Sequence, residues 1–258
     1  FISGLLLMGF GFSSFIIGKL YQSFTSEYIG GWRLSFRVMG VVLFVVLFII
    51  GCVLKYPKEN NVQNMKTLDN IDDYSTKEMM KSLSFWSYFI WATLLTAVGL
   101  ILVSQASGLL MEVDDSISKG TVSTIVGLIS ILNGVGRIIF GILFDKLGYH
   151  KTIFADLLFF SSFIVSMFIA LTTKNVFLIV IGFILGGLSY GGVTPLNSAI
   201  IREFYGNKFF SVNFSIINLN LLISSFGSTM AGYLFDVSQS YFSTLYLMLS
   251  MIILSALF

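Results

Sequence analysis

Apolar residues in this chain fall in long uncharged runs separated by short polar breaks. Residues 1–18 and 38–54 form the first two runs. A polar stretch, 55–82, follows with five lysines and five acids. Six more runs cover 83–111, 120–144, 157–173, 176–201, 209–235 and 237–258, and only Arg137 interrupts them. A helix needs about 20 mainly apolar residues to cross roughly 30 Å of hydrocarbon. The pattern therefore predicts eight membrane-spanning helices with short loops. Period-2 alternation is absent, which disfavours a membrane β-barrel.

Composition supports this. Of 258 residues, 28 are charged, or 11%, and 56% are hydrophobic. An ordinary soluble domain is about 25% charged. A water-soluble globule, a disordered chain and a nucleic-acid binder with a basic face are excluded. The net charge of +2 implies no anionic macromolecule as partner. The lone Cys52 excludes an intrachain disulfide, and the lone histidine, His150, makes zinc ligation unlikely. No cofactor is expected, and His150 is assigned no role. The first run lacks a charged n-region and a small-residue cleavage site, so it does not read as a signal peptide. Both ends fall inside apolar runs and look cut from a longer polypeptide.

Loop cations set the expected orientation. Lys55, Lys58, Lys66, Lys77, Lys81, Lys146, Lys151, Arg202 and Lys208 fall on one side, which is expected to be cytoplasmic. Arg33, Arg37, Lys119 and Lys174 fall on the other, with Lys19 near that end of the first span. The polar stretch reads as a solvated connector with a short surface helix around 76–81.

The turn after the fourth span reads Gly141-Ile-Leu-Phe-Asp145-Lys146-Leu-Gly148-Tyr-His-Lys151. Gly141 permits close helix approach, Asp145 marks the water boundary, and Gly148 permits a positive-φ turn. Lys146 and Lys151 suit an anionic leaflet. This stretch resembles the G-x-x-x-D-[RK]-x-G-x-x-[RK] loop of the major facilitator superfamily. The resemblance implies an all-α polytopic fold, here helices five to twelve of twelve, with four lying before Phe1. Residues 1–56 would close the first bundle, 57–84 would be the central linker, and 85–258 the second six-helix bundle. Short stretches narrow the likeness further: Gly31-Trp32-Arg33, Leu188-Ser-Tyr190-Gly191-Gly192 with Pro195, Phe204-Tyr205-Gly206, and Ala231-Gly232-Tyr233. In order and spacing they resemble the oxalate/formate antiporter family and related monocarboxylate porters.

Arg137 lies eight residues before Asp145, about 12 Å from that boundary and near the midplane. An unpaired Arg there costs at least about 2.5–3.5 kcal/mol, so it must face a cavity or a partner. Ser130, Asn133 and Arg137 share one helix face, and Gly127, Gly134 and Gly141 form a small-residue stripe beside it. No acid in the spans is an obvious midplane partner, and Asp156 reads as shallow. A planar bidentate donor suits a carboxylate. The family resemblance implies the same role for the Arg of Asn133-Gly134-Val-Gly136-Arg137; structural pairing with helix-end carbonyls or with an acid in the missing half is the alternative. Its oxalate-transporting members add a lysine in helix eleven, absent from 209–235 here. One cation suits one carboxylate, so a monocarboxylate is favoured over a dianion.

Further candidate ligands are Gln105, Tyr190, Asn197, Asn213 and Asn220, the last two placed on a common face. Interhelical hydrogen bonding is the alternative for each. Pro195 and the glycines of the sixth span would soften it as a gate or serve close packing. Gly141, Asp145, Lys146, Gly148, Lys151, Arg202 and Glu203 are the expected conformational gate. Asp156, Arg202 and Glu203 read as a charge network with Asp145 and Lys151 that could latch one conformation, with surface solvation as the alternative.

The expected function is secondary transport of a small organic anion by exchange or proton symport. The lack of a visible midplane acid favours exchange. Expected partners are a carboxylate substrate, the bilayer and protons or a counter-anion, with the chain acting as a monomer. A carrier for sugar, amino acid, nitrate or drug is the alternative. An enzyme would need a nucleophile–base pair or metal cluster that one histidine does not supply.

Overall fold

The computed structural model describes residues 31–55 and 73–258, with isolated helical positions at 5, 9, 16–18, 20 and 21. Most of the first predicted span, Lys19, Lys58, Lys66 and residues 56–72 lie outside the described residues. The described secondary structure is helical, and it falls in two compact units.

One unit holds helix α1, Gly31–Val53. It begins seven residues before the predicted run. Arg33 and Arg37 interrupt apolarity but not helical geometry, and the Arg33 guanidinium stacks over Trp32 at 4.9 Å.

The other unit contains α2 Thr76–Lys81, α3 Leu83–Val113, α4 Lys119–Thr173, α5 Val176–Tyr205, α6 Phe210–Ile217, α7 Asn220–Ser238 and α8 Tyr241–Ser255. Among the described residues, five segments are long and apolar enough to cross a membrane, and α8 is a shorter apolar helix. At 55 residues, α4 has length for two crossings. Its backbone leaves helical geometry at Gly148, with φ 75° and ψ 177°. Charge ends the apolar run at Asp145, but the helix continues to the residue that can turn. The expected loop at 145–151 is therefore a glycine kink, and the second arm starts about two turns before the apolar run at 157.

Three helix ends follow from local capping. Ser82, Ser118 and Ser240 each accept a backbone N–H at the start of α3, α4 and α8. The seventh predicted span is divided. Residues Asn218 and Leu219 tighten the chain between α6 and α7, with Leu219 N–H donating to Ile216 C=O at 3.1 Å.

The core runs along α3, α4, α5 and α8, around Leu95, Ile101, Phe160, Phe163 and Phe183. At the end opposite the basic loops, the Glu112 carboxylate accepts from Tyr241 N–H at 2.9 Å and Ser240 Oγ at 3.4 Å. Lys174 Nζ donates to the Glu112 carbonyl at 2.6 Å. At the basic end, the stretch before α3 is docked. Tyr74 N–H donates to Tyr205 C=O at 3.2 Å, Lys208 N–H donates to Asp73 Oδ1 at 3.0 Å, and Met79 is buried. The short helix expected at 76–81 is present, but this stretch is anchored rather than merely solvated.

Candidate functional site

The α4–α5 contact builds the site. The two helices approach through glycine. A Cβ at Gly136 would collide with the Leu188 carbonyl. One at Gly191 would collide with the Asn133 carbonyl and would stand 3.1 Å from the Arg137 main-chain nitrogen. Small residues let helix backbones approach this closely. Gly136, the second glycine of the Asn-Gly-Val-Gly-Arg stretch, makes the close approach.

Arg137 and Asn133 are 5% and 6% exposed, so the guanidinium is inside the bundle. Positions i and i+4 share a helix face. Asn133 Oδ1 uses that geometry to accept from Arg137 Nε at 3.1 Å. Tyr190 of α5 interacts electrostatically with Arg137. Its ring lies where a Cβ on Gly99 of α3 would stand, so Gly99 makes its seat. Arg137, Asn133 and Tyr190 therefore form one cluster. Gly99 went unnoticed in the sequence, because a single glycine in an apolar run carries no pairing signal.

The other candidate ligands sit elsewhere. Gln105 lies six residues beyond Gly99, about 9 Å along α3, near Gly232. Asn197 accepts from the Tyr88 hydroxyl at 2.8 Å. Asn213 accepts from Thr76 Oγ1 at 2.8 Å and donates to the Tyr74 carbonyl at 3.1 Å, which ties it to the docked stretch. Asn220 is 1% exposed, and its Nδ2 has no hydrogen-bond partner among the described residues. Between it and Asn213 the chain passes through the tightened turn at Asn218–Leu219, where both residues keep right-handed helical backbone angles.

Asp156 requires correction. It is fully buried, and both carboxylate oxygens lack a hydrogen-bond partner among the described residues. It is not part of a surface charge network. The early start of the second arm puts it seven residues past Tyr149, about 10 Å in. The apolar run begins only at residue 157, whereas the helical arm begins just after Gly148 and so includes Asp156.

Pro195 lies inside a continuous α5, and Gly182, Gly186, Gly187, Gly191 and Gly192 all pack against neighbouring helices. Their arrangement fits close packing. Among the described residues, no cluster of three or more His, Cys, Asp or Glu could hold a metal ion.

A family model for the Major Facilitator Superfamily matches residues 1–228. The chain belongs to that superfamily. It is accordingly an integral, multi-pass membrane protein. Among its relatives is an "Uncharacterized 38 kDa protein in 23S RNA operon" of Thermoproteus tenax, 23% identical over 95% of this chain and 58% of that protein. Another is the "Uncharacterized MFS-type transporter YhjX" of Escherichia coli (strain K12), 23% identical over 85% and 54%. The "Probable inorganic phosphate transporter 1-9" of Arabidopsis thaliana is 32% identical over 43% of this chain and 22% of its own length. The chain thus spans little more than half the length of the first of these.

In this major facilitator chain the expected gate residues lie at the basic end. Gly141 is buried, while Asp145, Lys146, Gly148, Lys151, Arg202 and Glu203 are exposed. Gly148 supplies the positive φ that turns α4 back. Phe204 packs edge-on against Tyr149, centroids 4.8 Å apart, which joins the end of α5 to the start of the second arm of α4.

Proposed function

We propose that the whole protein is a secondary carrier for small organic monocarboxylates, in which Arg137 holds the carboxylate while two bundles alternate around it. In this reading, residues 1–56 close the first bundle, 57–84 link, and 85–258 form the second. The observation that carries it is a guanidinium buried among apolar helices and oriented through Nε by Asn133, with Tyr190 beside it. The planar fork matches a carboxylate. The likeness to oxalate/formate antiporters supports the same chemistry, and the absence of a lysine from 209–235 supports one carboxylate rather than two. Asn220, with its orphaned amide donor, is a further candidate ligand.

Inorganic phosphate is the second reading. The Arabidopsis relative named for phosphate transport favours it. An arginine fork serves phosphate as well as carboxylate.

Competition in liposomes holding the full-length protein separates the two. Labelled pyruvate uptake should be inhibited by lactate and formate more than by oxalate or phosphate, and Arg137→Gln should abolish it. Oxalate as the strongest competitor would sink the monocarboxylate reading. Uptake of phosphate without pyruvate would establish the second. A neutral solute carried equally by wild type and Arg137→Gln would defeat both.

A further inference from the structure

Asp156 takes no part in the Arg137 cluster, yet it is enclosed on every side. From α5 comes Gly192, where a Cβ would stand 3.1 Å from Oδ1 and 2.7 Å from the Phe140 ring. From the first arm of α4 comes Phe140, fully buried. The nearest cation on that arm is Arg137, three residues earlier. From α3, Tyr88 interacts with Asp156 electrostatically. On its own arm, Lys151 lies five residues back and is exposed, and Thr152 donates to the Gly148 carbonyl at 2.8 Å. Between residues 186 and 198 of α5 the sole ionisable side chain is Tyr190. A carboxylate without a donor is costly in such a setting, and this packing accepts the neutral carboxyl.

A cavity of about 440 Å³ lies at the basic end, lined by Tyr88, Tyr149, His150 and Phe204 among others. Tyr88, whose hydroxyl donates to Asn197, borders this cavity, and so does Ile153, three residues before Asp156 on the same arm. The Asp156 and Arg137 environments share neighbouring residues of α5. Gly191 backs the main chain at Asn133 and Arg137, and Gly192 backs Asp156. A displacement of α5 against α4 alters both together.

We propose that Asp156 is a proton-carrying site of this protein, loaded from the cavity that Tyr88 borders. An O–H bond forms on the Asp156 carboxylate when one face of the carrier is open. It breaks, returning the proton to water, when the other face opens. Resting on the monocarboxylate reading above, this makes transport a symport of one proton with one carboxylate, with no net charge moved. On this proposal the coupling is symport, where the lack of a visible midplane acid in the sequence favours exchange.

Two readouts on full-length protein in liposomes test this. The first is acidification of a trapped pH dye as an inward pyruvate gradient is applied. In Asp156→Asn the proton flux per pyruvate should fall about tenfold or more. Pyruvate–pyruvate counterflow should persist, which shows that the variant folds. Asp156→Glu should restore proton flux. Unchanged proton flux per pyruvate in Asp156→Asn overturns the proposal. The second readout needs no substrate: an infrared band from a buried protonated carboxyl, present at pH 7 in wild type and absent from Asp156→Asn. A wild type lacking such a band also overturns it. If pyruvate is not carried at all but the band is present and lost in Asp156→Asn, the monocarboxylate reading fails while the proton site stands.

Discussion

Burying a guanidinium is expensive, and the local hydrogen bond at Arg137 does not by itself require arginine. Asn133 engages Nε, and a lysine at 137 would offer one point charge where the guanidinium offers a fork. Arg137→Lys keeps the charge but loses bidentate geometry. Under the proposed function, its pyruvate uptake should fall about tenfold or more. Equal uptake by Arg137→Lys and wild type would reduce Arg137 to a charge provider. Asn133→Ala should act through orientation, raising KM several-fold with a smaller change in kcat. At this scale Arg137 was legible in the sequence, because an arginine inside an apolar run has few places to go. Asp156 was not. Its depth depends on where a helix starts, and the charges that stop an apolar run do not stop a helix.

Helices α4 and α5 meet through backbone, and that contact holds the proposed site at the right spacing. Gly136→Ala would drive a methyl into the Leu188 carbonyl. Overpacking of this kind costs about 1–3 kcal/mol. Gly136→Ala should therefore lower the thermal midpoint and pyruvate uptake together, since the same displacement moves Arg137. Gly148→Ala offers the contrast. Nothing lies within 4 Å of a Cβ at Gly148, so the only cost is its backbone, at φ 75° and ψ 177° in a region that is essentially glycine's alone, about 1–3 kcal/mol. Its effect should fall on stability, with KM unchanged. A large KM shift in Gly148→Ala and none in Gly136→Ala would contradict this division.

Element existence followed from the length of apolar runs, which is why the crossings beyond the polar stretch were readable. Their boundaries depended on capping and glycine conformation. Helix α2 shows this in miniature: Ser75 and Glu78 form a capping box, and the Ser75 hydroxyl and backbone hydrogen bonds hold the Glu78 carboxyl below its ordinary value of 4.5. A lowered folded value means that the cap's contribution is complete above about 4.5 and fades as pH falls through the folded value. Ser75→Ala removes the hydroxyl bond and keeps the backbone one, so it should raise the Glu78 titration part of the way to the ordinary carboxylate range, as followed by side-chain carbon NMR. An unmoved titration would mean that the capping box is not formed.

At the scale of the whole molecule, the stretch leading into α3 is joined to the far end of α5 and to α6. Asn213 is the hinge of that connection, because its amide group both accepts from Thr76 and donates to the Tyr74 carbonyl. Asp73 reinforces it by accepting from Lys208 N–H at 3.0 Å. Sequence position alone made Asn213 look like a pathway residue, since its partners lie more than 130 positions away in the chain. Such pairing carries no local pattern, so only the fold could reveal it. The two roles predict opposite outcomes for Asn213→Ala. As a substrate ligand, Asn213 would raise KM when truncated and leave the docked stretch in place. As a tether, its loss should leave pyruvate KM within about twofold, because no contact to the Arg137 cluster is removed. The same change should speed proteolysis between residues 73 and 82, because a few half-buried and exposed backbone and side-chain bonds hold that stretch down. Measuring both on one preparation is decisive. A raised KM with unchanged proteolysis would return Asn213 to the transport pathway, and faster proteolysis with unchanged KM would fix it as the tie between residues 73–82 and α6.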